Sequence, residues 1–208
     1  MTDPNRVTPW GEVVAAPGRG AWMGNRGCLH PRDGAHRIAR LQTTTRWITC
    51  VLSFRGRHVA QWVPGRYTPL FFLDEAVALA AGHRPCAECR RADFDAYRSA
   101  WAAAHGGSLP RAREIDARLA GERLPAGCDR PTHRVAWREL SSGVVTVVDA
   151  TAMTVDGDRL LPWRPDCTYG PPVARPARGD ATVLTPPANV GALLAGYAAR
   201  PLVGPLGR

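Results

Sequence analysis

The chain has 208 residues, 45% of them hydrophobic, with six cysteines and a formal net charge of +9. That length supports a real hydrophobic core, and the cysteines are too sparse for a disulfide-stapled secreted scaffold. The opening MTDPNRVTPWGEVV has no basic region followed by an apolar run, and no stretch nears the ~18 apolar residues of a membrane span. A cytoplasmic protein with no membrane partner is therefore expected.

Residues 1–34 are rich in Gly, Pro and Trp and read as an ordered loop region with short strands. HRIARLQ (36–42) alternates apolar and polar residues, and RWITCVLSFRG (46–56) is β-branched and aromatic. The two are expected to pair as a hairpin across TTT. VPGRYT (63–68) is a turn and PLFFL (69–73) a short buried strand. Asp74 caps a helix, EAVALAAG, that ends at Gly82. A second helix is expected from about Cys86, with Phe94, Tyr97, Trp101 and Ala104 on one face. Pro110 opens a third, with Ile115 and Leu119 on one side. Beyond about residue 125, HRVAWREL, SGVVTVVDATAM, VDGDRLLPW and DATVLT read as strands, and PPANVGALLAGYAAR as a closing helix before the tail PLVGPLGR. The expected class is α+β. An N-terminal module of short sheet and helices spans 1–105, a helical link 106–125, and a β-rich module with a terminal helix 126–208.

All 27 basic residues are arginine. Residues 32–66 carry Arg32, Arg37, Arg40, Arg46, Arg55, Arg57 and Arg66 against the single acid Asp33, and Arg84, Arg90 and Arg91 flank the cysteines of GHRPCAECRR. This distribution suits a polyanionic partner, nucleic acid first. Arg55, Arg57, Arg84, Arg90 and Arg91 are the candidate phosphate contacts. Trp22, Trp47 and Trp62 can stack on bases if exposed, and otherwise pack in the core.

Cys86 and Cys89 form a C-x-x-C pair, a spacing that suits half of a tetrahedral zinc site. A tight turn lets both sulfurs face one point. The favoured set is Cys28, Cys50, Cys86 and Cys89, with His30 as the substitute for Cys28 and Zn2+ as cofactor. A redox pair and a pair of inert core cysteines are the alternatives. Cys128 and Cys167 stand apart and read as small buried hydrophobes. An enzyme reading draws on Glu122 and His133 as acid and base, with Asn25 in the glycine-rich loop GNRGCLH, for a glycosylase or nuclease. Glu114 and Arg118 are spaced as a surface pair. No Ser/His/Asp set, P-loop or dinucleotide fingerprint is present.

YTPLFFLDEAVALAAGHRPCAECRR resembles the end of the N-terminal zinc domain of Ada, the bacterial adaptive-response DNA alkyl transferase. Phe71, Phe72, Glu75, Ala76, Ala80, Ala81, Gly82, Arg84, Pro85, Cys86, Cys89 and Arg90 match that family's pattern in order. The likeness covers about residues 46–91 and does not reach 106–208. It implies a four-thiolate zinc site, contact with the DNA backbone, and a setting in DNA repair or DNA-damage handling. It carries Cys86 and Cys89 over as ligands. The family has two further cysteines close together upstream, one of which accepts a methyl group from a phosphotriester. Here Cys50 stands alone in that strand, and Cys28 or a histidine is left to complete the set. A sacrificial alkyl acceptor through Cys50 is the third functional reading. The guanine-repair half of Ada, with its PCHR-type motif, is absent.

Overall fold

The computed structural model describes residues 2–33, 35–56, 59–123 and 131–199. Arg57, Cys128 and the tail PLVGPLGR lie outside the described residues. The fold is α+β, as expected, with two six-stranded sheets and a C-terminal helix. In chain order the first half contains β1 (Pro4–Val7), β2 (Val13–Ala15), β3 (Trp22–Asn25), β4 (Ile48–Cys50), β5 (Leu70–Phe72), α1 (Glu75–Ala80), β6 (Arg84–Pro85) and α2 (Arg91–His105). There follow α3 (Ala112–Arg123), β7 (His133–Ala136), β8 (Val145–Val148), β9 (Thr151–Asp156), β10 (Arg159–Pro162), β11 (Val173–Ala174), β12 (Asp180–Val183) and α4 (Pro187–Leu194). The first sheet runs β2-β1-β5-β3-β4-β6 and the second β11-β10-β9-β8-β12-β7.

Asp74 caps α1 as its position suggests, accepting from the Val77 amide at 2.9 Å. The helix closes in a left-handed turn at Gly82 (φ 86°), where the Gly82 amide reaches Leu79 O and the His83 amide reaches Ala78 O. A Cβ on Gly82 would meet Arg123 Cδ at 2.8 Å, so the position needs glycine for space as well as for φ. Every residue of α1 is buried, because the helix packs against β5 of the first sheet and β8 of the second. Phe94, Tyr97 and Trp101 of α2 meet Ile115 and Leu119 of α3, Val190 and Leu193 of α4, and Val155, Leu160 and Val183 of the second sheet in one apolar cluster. Ala104, expected on that same face, is exposed. A second cluster joins Val7, Leu70, Phe72 and Val77 to Val145, Ala152, Trp163 and Leu184. Both clusters draw on residues from before 105 and after 126, so the two ends of the chain share their apolar cores.

The hairpin across TTT does not form. Residues 36–42 are a loop whose amides at Ala39 and Arg40 turn to Leu29 O, while β4 lies antiparallel to β3 and parallel to β6. The reason is local. Thr43 is bonded to the 26–28 turn, its amide donating to Arg26 O at 2.9 Å and its hydroxyl accepting from the Cys28 amide at 3.1 Å. Gly27 (φ 94°) permits this approach, since a Cβ there would overlap Thr43 Oγ1. The next anchor is Trp47, fully buried with the Arg26 guanidinium 3.7 Å from one of its ring centroids and that of Arg123 at 4.0 Å. That anchor places β4 beside β3. α2 also starts later than expected, at Arg91, because Cys86–Arg90 form a separate turn closed by Arg90 N to Cys86 O at 3.1 Å.

Candidate metal centre

Parallel pairing sets the site. β4 and β6 pair Ile48 with Arg84 and Thr49 with Pro85, so the next residues, Cys50 and Cys86, leave the two strand ends side by side. The Cys86 amide donates to Thr49 O at 2.9 Å and locks that register. The turn after β6 then swings Cys89 back, and the sulfurs of Cys50, Cys86 and Cys89 all lie within 4.8 Å of one another. Tetrahedral zinc with thiolate bonds of about 2.3 Å spaces its sulfurs at about 3.8 Å, so a small closure of this trio accommodates the metal. Cys50 and Cys86 are buried and Cys89 half-buried, packed with Met23, Ile48, Val59 and Phe71.

The thiols are electrostatically unequal. Cys86 is held down at about 5, first by a hydrogen bond from the Cys50 thiol and further by the backbone amides of Cys89 and Glu88, against the opposing effect of burial. The Glu88 amide lies 3.4 Å from Cys86 Sγ. The same thiol–thiolate bond, together with burial, pushes Cys50 far up, and burial pushes Cys89 up. Without metal, the trio therefore carries one thiolate near neutral pH, on Cys86. Such a set is a soft, preorganised donor group suited to zinc or another thiophilic ion.

The two expected upstream partners lie elsewhere. Cys28 is half-buried with its sulfur 3.6 Å from His30 O, and it does not join the cluster. His30 is wholly buried with both ring nitrogens engaged, Nδ1 with Thr68 Oγ1 at 2.7 Å and Nε2 with Val63 O at 3.0 Å. The 26–43 loop folds back on itself through Thr43, and so holds both residues away from the thiols.

The arginines divide. Arg84 is buried, with its guanidinium forked onto Asp116 at 2.8 and 2.9 Å. Arg90 is buried against Glu75 at 2.6 Å and Asp93 at 2.8 Å, over the face of Trp22 at 4.0 Å. Neither reaches the surface, so both act as internal struts beneath the cysteine turn. Arg55 and Arg91 are exposed. Arg32, Arg37, Arg40, Arg46 and Arg66 of the basic stretch are exposed as well. Trp47 and Trp62 are buried and Trp22 is half-buried under Arg90, so the three tryptophans pack.

Of the expected acid–base pair, Glu122 has structural employment. Glu122 Oε2 accepts the Ala188 amide at 2.8 Å in the first turn of α4, and Oε1 accepts from Arg118 at 3.0 Å. Arg118 thus pairs with Glu122, while Glu114 turns back to the Arg111 amide at 2.7 Å. His133 opens β7 and is pushed below the ordinary histidine value by burial, with Glu122 pulling the other way. Asn25 ends β3 and lines the cavity beside the thiols.

That cavity measures about 600 Å3. Its walls include Met23, Ile48, Val51, Leu52, Phe54 and Val59, all three cysteines line it, and Asn25, Arg46 and Tyr67 contribute polar groups. In the sequence Tyr67 is legible only as part of a turn. It lines the cavity with the three cysteines, and burial raises its phenol above the ordinary value. No family model, curated protein or solved structure matches the chain. Among the described residues no helix is long and apolar enough to cross a membrane.

Proposed function

We propose that the chain is a zinc protein that engages nucleic acid, DNA foremost, through the basic face around the thiol cavity. The observation that carries this reading is the placement of Cys50, Cys86 and Cys89 in a cavity walled by the 44–67 segment, whose arginines at 46, 55 and 66 are exposed. Thiolates are the softest donors that protein side chains offer, and a trio of them suits zinc among the thiophilic ions. Arg32, Arg37 and Arg40 extend the exposed charge, and the net +9 favours a polyanion. The Ada-like segment 46–91 supports DNA and a repair setting, and a cytoplasmic location accords with these partners.

A second reading has one observation in its favour. Cys86 is ionised near neutral pH, and Cys50 hydrogen-bonds to it. A thiolate in this cavity can act as a sacrificial alkyl acceptor. Its sulfur would attack the methyl carbon of a methyl phosphotriester, forming an S–C bond as the C–O bond breaks and the phosphodiester anion leaves. Glu122 has no such support, because both of its oxygens hold structural contacts.

The test combines metal content with DNA binding. Elemental mass spectrometry on protein purified without chelator should give one zinc per chain, and fluorescence anisotropy with a labelled duplex should show affinity that falls steeply with salt. A metal-free protein, or one whose DNA affinity is insensitive to salt, overturns the reading. Intact mass after exposure to methyl-phosphotriester DNA tests the second reading, with a gain of one methyl on a cysteine expected.

A further inference from the structure

We propose that the metal centre is open: three thiolates hold the ion, and its fourth position faces the cavity and takes a small thiol with an apolar body. This rests on the metal-binding reading above. Structural zinc sites close four protein ligands, whereas sites with three leave the fourth to solvent or substrate. Among the described residues only Cys50, Cys86 and Cys89 converge, neither His83 nor Glu88 joins them, and the two partners expected from the sequence, Cys28 and His30, are engaged with His30 O and with Thr68 and Val63. All three cysteines line a cavity of about 600 Å3, large enough for a ligand and far larger than a water site needs.

The walls state the ligand's chemistry. Met23, Ile48, Val51, Leu52, Phe54 and Val59 offer apolar surface and an aromatic ring. The polar lining includes Asn25, Tyr67 and the exposed Arg46. Arg84 also borders the cavity, but its charge is spent on Asp116. A hard oxygen anion would meet a soft centre and greasy walls, while a thiol supplies a soft donor and an apolar body together. The step is a ligand exchange. The thiol gives its proton to solvent, its sulfur lone pair forms the bond to the metal, the solvent molecule in that position leaves, and no electron is transferred.

The experiment uses the full chain loaded with Co2+ and reads the visible and near-ultraviolet spectrum. Sulfur-to-cobalt charge-transfer intensity counts thiolates. Saturating benzyl mercaptan should raise that intensity by about one third, three thiolates becoming four, and benzyl alcohol should leave it unchanged. Leu52→Trp, at an exposed wall position, should keep the three-thiolate spectrum and weaken benzyl mercaptan binding about tenfold by filling the cavity. Cys28→Ser, Cys128→Ser and His58→Ala, the last next in sequence to the wall residue Val59, should leave the starting spectrum as it is. A four-thiolate spectrum that drops in either serine variant, or ligand-field bands that shift in His58→Ala, would show a protein fourth ligand and overturn the open centre while leaving metal binding intact. Failure to bind Co2+ at all would overturn the metal reading, and this inference with it.

Discussion

The amide of Cys86 donates to the carbonyl of Thr49 at 2.9 Å, and this one bond carries the parallel register of β4 and β6 into the three-cysteine cluster. It brings Cys50, from one sequence segment, beside a C-x-x-C pair from another. The first expectation follows from that geometry. Cys50→Ser, Cys86→Ser and Cys89→Ser should each abolish stoichiometric zinc, while Cys28→Ser retains it, measured by elemental mass spectrometry. Loss of zinc in the Cys28 variant would show that the 26–43 loop opens to reach the site.

Proton linkage gives the second. Between about pH 5 and the ordinary thiol value, Cys86 is ionised and Cys50 and Cys89 are protonated. Binding a dication with three thiolates then releases about two protons, so the logarithm of the apparent affinity should rise by about two per pH unit. A competition titration with a chelator of known proton linkage checks this. The metal-free protein has its own sign. Because Cys86 sits below the ordinary value, its contribution to stability is complete above that value and is lost as pH falls through about 5. Cys50 and Cys89 are raised, so above the ordinary value the unfolded thiols ionise first and stability declines. Urea midpoints of the apo protein should therefore climb from about pH 5 towards about 9 and turn over beyond it.

The third concerns Arg84. Its fork onto Asp116 ties the strand that precedes Cys86 to α3, with both side chains buried. Removing one partner leaves a buried charge uncompensated, which costs ~3–5 kcal/mol. Asp116→Ala and Arg84→Ala should each lower the urea midpoint strongly, and the double variant should cost less than the sum. Additive losses would mean that the pair does not act as a unit.

These struts explain what the sequence does and does not disclose. Local signals are readable: the Asp74 cap, the Gly82 stop, and the buried faces of Phe94–Trp101 and Ile115–Leu119 stand where their residue chemistry puts them. SGVVTVVDATAM, expected as one strand, instead breaks into β8 and β9 at Asp149 and Ala150 (φ 47° and 61°), and the closing helix ends at Leu194. Cys86 and Cys89 are readable as a pair because the spacing itself closes a turn. Long-range choices are not. Residues 36–42 carry a strand-like alternation, but Thr43 and Gly27 fix that segment to a loop. An arginine beside a cysteine looks the same whether it faces a phosphate or a carboxylate. Only the arrival of Glu75 and Asp116 from other elements decides for Arg90 and Arg84. Tyr67 reaches the thiols by the same kind of tertiary placement, which no spacing encodes.

Glu122 supplies the fourth test, because its place in the fold separates structure from catalysis. Its carboxylate accepts the Ala188 amide in the first turn of α4, where a negative charge also meets the positive end of the helix. Pro186 flanks that helix and offers no capping side chain, so Glu122 does the capping from α3. Glu122→Ala should cost ~1 kcal/mol, as loss of a helix cap does, and Glu122→Gln, which keeps an acceptor, about half of that. Both variants should bind zinc and DNA as the parent does. A Glu122→Gln protein of parental stability that lost an activity on nucleic acid would reverse this assignment and return the residue to an acid–base role.

The exposed arginines provide the last. Arg46 lines the cavity, and Arg55 stands in the same segment with its guanidinium 5.0 Å from the Phe54 ring centroid. Removing a single phosphate-binding arginine should reduce the slope of log K against log salt by about one. Arg46→Ala and Arg55→Ala should therefore flatten the salt dependence of duplex binding stepwise and weaken all sequences alike, with zinc content unchanged. Arg91→Ala, on the outer side of α2 near Asp95 at 3.9 Å, is the comparison. An equal effect there would move the interface from the cavity mouth to the helix. No effect at Arg46 and Arg55, with full loss at Arg91, would separate the thiol cavity from nucleic-acid binding altogether, because the two functions would then occupy different faces of the molecule.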